Sequence, residues 1–154
     1  MAESLNLDTQ ALNATMRKFG APETCIRNYQ HWSVMLRPAQ VTLGSLVLAA
    51  FEPVTSFSEL SSASFSEFGK VVKDLETSLK NAFAYDKINY LMLMMVDPDV
   101  HFHVIPRYAE VQYFADKEFV DTSWPGPANL GLANESDSST NQQIVDYLSK
   151  NWNG

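Results

Sequence analysis

Apolar residues recur at helical spacing along one long segment, and this pattern predicts the main helix of the chain. Two serine clusters, Ser56-Phe57-Ser58-Glu59 and Ser64-Phe65-Ser66-Glu67, fit the capping-box pattern that begins many helices. After the second cluster, the apolar positions that share one face are Phe68, Val71, Val72, Leu75, Leu79 and Phe83. The spacing predicts a helix over residues 65–84 that packs on a sheet through this face.

Shorter apolar runs bounded by proline and glycine predict strands. Residues 31–37 and 45–51 have strand-like content, and the turn residues 38–44 between them predict a hairpin. Residues 88–96 are denser in apolar side chains, which favours a central strand or one covered on both faces. Residues 111–114 predict a further short strand.

One strand alternates polar and apolar residues and carries two of the three histidines. Asp97-Pro98 predicts a tight turn into this strand, and alternation runs from Asp99 to Val104. With a period of two, Asp99, His101 and His103 lie on one face and the apolar residues between them on the other. Three titratable groups on one strand face are costly to place, which makes this run the first candidate for chemistry.

Helices are also predicted near both termini. Residues 8–19 place Leu12, Met16 and Phe19 on one face, with Asp8 as the N-cap. A C-terminal helix follows Ser139-Thr140-Asn141-Gln142 and carries the apolar residues Ile144, Val145, Leu148 and Trp152. We therefore expect one α+β domain over residues 1–154: an antiparallel sheet of about five strands, one long helix packed on it, and added N- and C-terminal helices.

Composition narrows the class of protein. The sequence is 45% hydrophobic and 12% aromatic, as in globular proteins, and its formal charge of −7 without a basic cluster argues against nucleic acid binding. The longest apolar run, residues 91–96, is too short to span a bilayer, and the N-terminus lacks the features of a secretory signal. The single cysteine, Cys25, suits a reducing compartment, so we expect a cytoplasmic protein without membrane association.

From the residues alone, the histidine strand has three interpretations. His101 and His103 could form structural hydrogen bonds on a surface or interface strand. Together with Asp99 they could supply three ligands to zinc. An imidazole could also attack phosphorus while its neighbour binds the phosphate oxygens.

The flanking residues resemble one family. The string His101-Phe102-His103-Val104-Ile105-Pro106-Arg107 is similar to the signature of the histidine triad (HIT) family, in which three histidines alternate with apolar residues and Pro-Arg often follows. The resemblance extends upstream through Trp32–Pro38, Leu43-Gly44, Leu46–Leu48 and Ser56–Leu60. It covers about residues 29–108 and leaves 109–154 as a C-terminal extension.

The resemblance implies a specific activity. HIT proteins have an antiparallel sheet with a long helix, usually dimerise so that two sheets become one, and cleave or transfer at the α-phosphate of nucleotides. By this resemblance His101 is the nucleophile that forms a nucleotidyl-histidine intermediate, and His103 binds the phosphate oxygens. We expect a hydrolase or transferase, like the diadenosine tetraphosphate hydrolases, acting on a dinucleoside polyphosphate or a nucleoside phosphoramidate. We expect a homodimer that needs neither metal nor other cofactor.

The chain departs from the family pattern at three places. Asp99 occupies the first triad position, where it could accept a hydrogen bond from His101 or His103. Ser45 follows Gly44 where the family often has Gly-His, and Met94–Pro98 replaces a polar segment that contacts phosphate in many members. A nucleotide-binding or regulatory protein with weakened catalysis is therefore the alternative, and a zinc-binding protein ranks below it.

Three further residues are candidate substrate contacts. Asn89 lies on the strand before the turn and could contact ribose or phosphate. Arg107 ends the signature and could meet a phosphate, although a surface ion pair is the competing interpretation. Ser45 completes this set.

Overall fold

A five-stranded antiparallel sheet carries the fold in the computed structural model, which describes residues 11–154. The helices are α1 (Ala14–Lys18), α2 (Ser62–Phe83) and α3 (Ser138–Lys150), and the strands are β1 (Cys25–Asn28), β2 (Trp32–Leu36), β3 (Leu46–Ala50), β4 (Lys87–Leu91), β5 (His101–Arg107), β6 (Gln112–Phe114) and β7 (Lys117–Phe119). The strand order is β1-β2-β3-β5-β4, and β6 with β7 forms a separate hairpin. The predicted α+β class, with a long helix on an antiparallel sheet, is confirmed.

The sheet has two different faces. On one, the helix face, Leu36 pairs with Leu46 and Leu46 with Val104, and these side chains lie in the main hydrophobic core beside α2. On the other, the histidine face, Met35 pairs with Val47 and Val47 with His103. Within residues 11–154, a small apolar cluster lies on this second face: its buried members are Met16 and Ala21 from the α1 region, with Met35, Val47 and Ala49 from the sheet.

Helix α2 confirms the predicted long helix but begins three residues earlier. Its N-cap is Ser61, whose extended backbone lets the side chain accept a hydrogen bond from the Ser64 amide. Both predicted capping boxes are therefore wrong: Ser64 lies inside the first turn, and residues 57–59 form a separate 3₁₀ turn without a side-chain cap. The Glu52 carboxylate accepts hydrogen bonds from the Ser64 and Ser61 hydroxyls and from the Ser61 amide, and these lower its pKa.

The dense apolar run 88–96 is not a central strand. Only Lys87–Leu91 forms β4, and this strand lies at the edge of the sheet beside β5. Residues 92–96 leave the sheet, with the Met94 backbone at a φ of 48°. Met95 is 83% exposed and Val96 84%, so these side chains do not fill the core. The high density of apolar residues in this segment therefore belongs in part to an exposed loop, and does not indicate a strand that is buried on both faces.

The hairpin prediction is confirmed, whereas one strand of the sheet was missed. Strands β2 and β3 pair antiparallel around a turn in which Gly44 has a φ of 85°. A side chain at Gly44 would meet the Phe83 ring at 2.9 Å, because the end of α2 packs directly on this turn. The fifth strand is the unpredicted β1, and the predicted strand near residue 111 belongs to the separate hairpin.

Both terminal helices differ in detail from their predictions. In the described part of the chain the first helix begins at Ala14 with Asn13 as its N-cap, while the predicted cap Asp8 lies outside the described residues. The C-terminal helix starts from Asp137, not Ser139, and ends before Trp152, whose indole nitrogen donates to the Tyr29 hydroxyl at 2.8 Å. No helix in residues 11–154 has the length and apolarity needed to cross a membrane.

Candidate active site

Strand β5 brings His101 and His103 to one cavity on the histidine face. Successive odd-numbered residues of the strand point to the same side, so both imidazoles line a cavity of about 300 Å³. Their ring centroids lie 5.1 Å apart in an edge-to-face arrangement. His101 is 1% exposed and His103 6%, so the protein walls, and not bulk water, determine their chemistry.

The backbone carbonyl of Asp99 fixes the ring of His101. The distance from His101 Nδ1 to this carbonyl oxygen is 2.6 Å. A carbonyl oxygen only accepts hydrogen bonds, so Nδ1 carries the proton and a neutral ring keeps its lone pair on Nε2. This is the tautomer that a nucleophilic imidazole needs.

The Asp99 side chain does not join the histidines. Asp99 lies in a bend before β5, and its carboxylate accepts hydrogen bonds from the Thr15 amide at 3.3 Å and the Thr15 hydroxyl at 2.9 Å. The free amides in the first turn of α1 attract this carboxylate. The expected side-chain bond from Asp99 to His101 or His103 is therefore absent among the described contacts. The alternating strand begins two residues later than the sequence indicates.

His103 is a neutral base at pH 7. Burial, the neighbouring His101 and the positive charge of Arg37 lower the pKa of His103 to about 4. The Phe19 ring packs edge-on against it at 5.6 Å between centroids, and its Nδ1 has no hydrogen-bond partner in the described structure. This nitrogen is therefore a buried polar atom without a described partner, on a ring that lines the cavity.

Two cations also line the cavity, and sequence reasoning missed both. Lys18 forms an ion pair with Asp97 at 2.8 Å. Arg37 donates from Nη1 to the Ala39 carbonyl at 2.7 Å, its Nε has no partner, and burial lowers its pKa. The alternation of side chains along β2 could have indicated Arg37, because residue 37 lies two positions after Met35, which belongs to the histidine face.

Apart from the Asp97 carboxylate, the rest of the cavity wall is apolar. The apolar part comes from Phe19, from the exposed loop 93–96 and from Leu130 in a loop of the C-terminal region. Two imidazoles, two cations and one carboxylate thus share the cavity with apolar side chains. Such a combination suits a ligand with an anionic group and a less polar body.

The three predicted substrate contacts do not line this cavity. Ser45 is fully buried and bonds to the backbone of Thr42, so it belongs to the turn. Asn89 accepts from Arg107 Nη1 at 2.8 Å. The Ser45 hydroxyl and the Asn89 side-chain oxygen thus bond within the protein, outside the cavity.

Arg107 forms a buried ion pair, which corrects the surface pair expected from the sequence. Its Nε lies 2.7 Å and its Nη2 3.0 Å from the two carboxylate oxygens of Asp121, in bidentate geometry. Nη2 also donates to the Gly126 carbonyl at 2.9 Å. With Asn89 on Nη1, each nitrogen of the guanidinium donates to a protein acceptor, so Arg107 is held as a structural ion pair away from the cavity.

The arrangement does not favour the zinc alternative. Within residues 11–154, no group of three or more His, Cys, Asp or Glu side chains is placed to hold a metal ion. The Asp99 carboxylate, which would have been the third ligand, bonds to Thr15 instead.

Comparisons with known proteins identify the fold. The sequence matches no protein-family model and no curated protein. Among solved structures, a histidine triad protein from Bradyrhizobium japonicum superposes with a TM-score of 0.73 at 17% identity, covering 93% of this chain and 98% of that one. One from Sinorhizobium meliloti gives 0.72 at 20% identity, covering 94% and 98%.

A more distant neighbour has a named activity. A diadenosine triphosphate hydrolase from Plasmodium falciparum superposes with a TM-score of 0.62 at 8% identity, covering 84% of this chain and 76% of that one. At these identities the likeness concerns the fold. The structural neighbours are histidine triad proteins over most of the chain, and the protein therefore has the histidine triad fold.

Proposed function

We propose that the protein is a nucleotide hydrolase or transferase that acts at an α-phosphate through His101. The observation that carries this proposal is the 2.6 Å contact between His101 Nδ1 and the Asp99 carbonyl, which leaves Nε2 as the nucleophilic nitrogen beside a cationic cavity. The fold shared with a diadenosine triphosphate hydrolase supports a nucleotide as the substrate.

The reaction would proceed in two displacements at phosphorus. First, the lone pair on His101 Nε2 forms a bond to the α-phosphorus, and the bond to the leaving group breaks with its electron pair. Nδ1 keeps its proton, and the Asp99 carbonyl stabilises the positive charge that develops on the ring. Second, water or another acceptor attacks the phosphorus and loses a proton to solvent. The bond between phosphorus and Nε2 breaks with its electron pair returning to Nε2, which releases the nucleotide and restores neutral His101.

His103 would bind the non-bridging phosphate oxygens during these steps. Its Nδ1 has no protein partner, and its ring lies beside His101. Because the pKa of His103 is lowered to about 4, its donor at neutral pH is the single N–H of the neutral ring. It is a hydrogen-bonding group here and not a fixed positive charge.

Intact-mass measurement tests the proposal. We would incubate the protein with diadenosine triphosphate or adenosine 5′-phosphoramidate, quench in conditions that preserve phosphohistidine, and look for an added adenylyl group. The adduct should form in the wild type, persist in His31→Ala, and be lost in His101→Ala. The His31 variant is the matched control because it removes the one histidine outside the cavity. An adduct that survives His101→Ala would refute the assigned nucleophile.

Nucleotide binding with weakened turnover is the second candidate function. Two observations favour it: the Asp99 carboxylate is committed to Thr15, and loop 93–96 presents apolar side chains to the cavity. Saturable binding of AMP by calorimetry, with neither adduct nor hydrolysis at any substrate concentration, would establish this function instead.

We also propose a homodimer formed through the edge strand β4. This strand has no sheet partner on its outer side among the described residues, and its Ile88, Tyr90 and Leu91 side chains are only half buried. A second copy could continue the sheet there. Sedimentation equilibrium should give twice the mass of one chain, and a monomer at all concentrations would exclude this assembly.

A further inference from the structure

Among the described residues that line the cavity, Arg37 is a cation without a carboxylate partner. Lys18 pairs with Asp97, so its charge is largely balanced. Arg37 has only the Ala39 carbonyl as a side-chain acceptor within the described structure, and its Nε is buried and unbonded. A half-buried guanidinium without a counterion is costly unless a ligand supplies the negative charge.

The backbone around Arg37 is held rigidly. Its amide donates to the Ser45 carbonyl at 2.9 Å, and its own carbonyl accepts from the buried side chain of Gln40 at 2.6 Å. Gln40 also bonds to the Ser45 carbonyl and the Gly44 amide, which closes the turn. The turn therefore fixes the backbone from which the Arg37 side chain extends, so the guanidinium reaches the cavity from a defined position.

The same cavity offers little to a leaving group that needs a proton. An amine must be protonated as its bond to phosphorus breaks, whereas a phosphate leaves as an anion. His103 is neutral because its pKa is lowered to about 4, and the Asp99 carboxylate bonds to Thr15. His101 Nδ1 uses its proton on the Asp99 carbonyl. Lys18, the remaining donor, is engaged with Asp97.

From the unpaired guanidinium and its fixed position in the cavity, we propose that Arg37 is the specificity-determining residue of the site. It binds the phosphate of an anionic leaving group, and thereby selects substrates with a second phosphate over those with an amine. This inference rests on the proposed function for its kinetic consequence, but the binding preference it implies stands independently of turnover.

Paired substrates test the kinetic consequence. Diadenosine triphosphate and adenosine 5′-phosphoramidate share the adenosine and the α-phosphorus, and they differ in the leaving group. We expect the wild type to prefer the first, and Arg37→Gln to lower its kcat/KM by about ten- to a hundredfold, the usual range for a lost charge-assisted hydrogen bond. The phosphoramidate should change by less than about threefold, since it offers no second phosphate.

Two controls separate this effect from net charge and folding. Arg17→Gln removes the same charge from α1 outside the cavity and should leave both substrates unchanged. Arg37→Lys keeps the charge and should recover part of the preference. An equal loss for both substrates in Arg37→Gln, or a wild type that prefers the phosphoramidate, would overturn the inference.

Equilibrium binding tests the role of Arg37 even if the protein turns over neither substrate. By calorimetry the wild type should bind ADP more tightly than AMP, Arg37→Gln should bind the two equally, and Arg17→Gln should behave as wild type. Equal binding of ADP and AMP by the wild type, or binding of neither, would overturn the role of Arg37. Failure to form the His101 adduct would instead refute the proposed catalysis and leave this binding result unaffected.

Discussion

The two faces of the central sheet are built from the same strands but differ in chemistry. The helix face carries aliphatic and aromatic side chains against α2, and its buried members belong to one large core. The histidine face carries His101, His103 and Arg107 from β5 and is covered by the five-residue helix α1 and by loops. Apolar burial dominates one face, whereas the other combines a small apolar cluster with buried polar groups.

This difference separates stability from chemistry within one strand. Alternate residues of β5 serve the two faces, so Val104 fills the core while His103 lines the cavity. Tight packing on the helix face fixes the position of the strand. The opposite face can then tolerate a cavity and the unpaired Nδ1 of His103. Substitutions on the two faces should consequently differ in their effects on the free energy of unfolding, on its pH dependence and on the chemistry of the cavity.

The largest effect is expected where the histidine face depends on a buried charge pair. Asp121→Asn leaves the Arg107 guanidinium, whose side chain is 5% exposed, without its counterion. We expect a loss of about 3–5 kcal/mol in the free energy of unfolding, measured by urea denaturation. Lys117→Gln breaks an exposed ion pair with Asp137 and should cost less than about 1 kcal/mol. Equal losses would mean that burial of the Arg107 pair has no energetic consequence.

Neighbouring residues on β2 compare the packing of the two faces directly. Leu36 and Met35 are both fully buried and similar in volume, but Leu36 lies in the main core and Met35 in the small cluster under α1. We expect Leu36→Ala to cost about 3–4 kcal/mol and Met35→Ala about 2 kcal/mol, because a short helix relaxes into the gap more readily than α2. Denaturant midpoints measure both, and a larger cost at Met35 would reverse the comparison.

Acidity should weaken the histidine face selectively. The pKa of His103 is about 4 in the folded protein against an ordinary 6.5, so the unfolded chain binds more protons between these values. The stability that neutral His103 contributes is complete above about pH 6.5 and is lost as pH falls towards 4. We expect a decline of roughly 2–3 kcal/mol over this window, and a smaller one in His103→Asn. Identical pH profiles of unfolding would show that the ring is not buried as a neutral base.

The smallest effect distinguishes the side chain of Asp99 from its backbone. Asp99→Ala removes the acceptor for Thr15 but keeps the carbonyl that bonds to His101. We expect a loss of about 1 kcal/mol in stability, while the adenylyl adduct still forms. Asp86→Ala, which removes the acceptor for the Ala109 amide outside the cavity, serves as the control. A well-folded Asp99→Ala variant without adduct would show that the carboxylate takes part in the chemistry.

Local patterns predicted the elements, whereas contacts between distant elements defined the site. Period-two alternation correctly placed His101 and His103 on one face, and helical spacing correctly indicated α2, since both signals lie within a single element. The position of Arg37 in the cavity depends on the register of β2 against β3 and of β3 against β5. No single segment contains that information.

The errors have related physical causes. The apolar density of residues 91–96 suggested burial, but density does not distinguish a core strand from an exposed loop beside a cavity. The partner of the Asp99 carboxylate is Thr15, 84 positions earlier in the chain. A hydrogen bond over that separation follows from the tertiary fold, so the sequence pattern around Asp99 could not reveal it.

Asp99 holds two structures at once, the His101 ring through its carbonyl and the start of α1 through its carboxylate. Occupancy of the cavity and docking of α1 are therefore thermodynamically linked, and the coupling must act equally in both directions. A nucleotide that fixes the imidazole should slow amide hydrogen exchange in Ala14–Lys18. Any interaction that secures this helix should, in return, fix the orientation of the His101 ring.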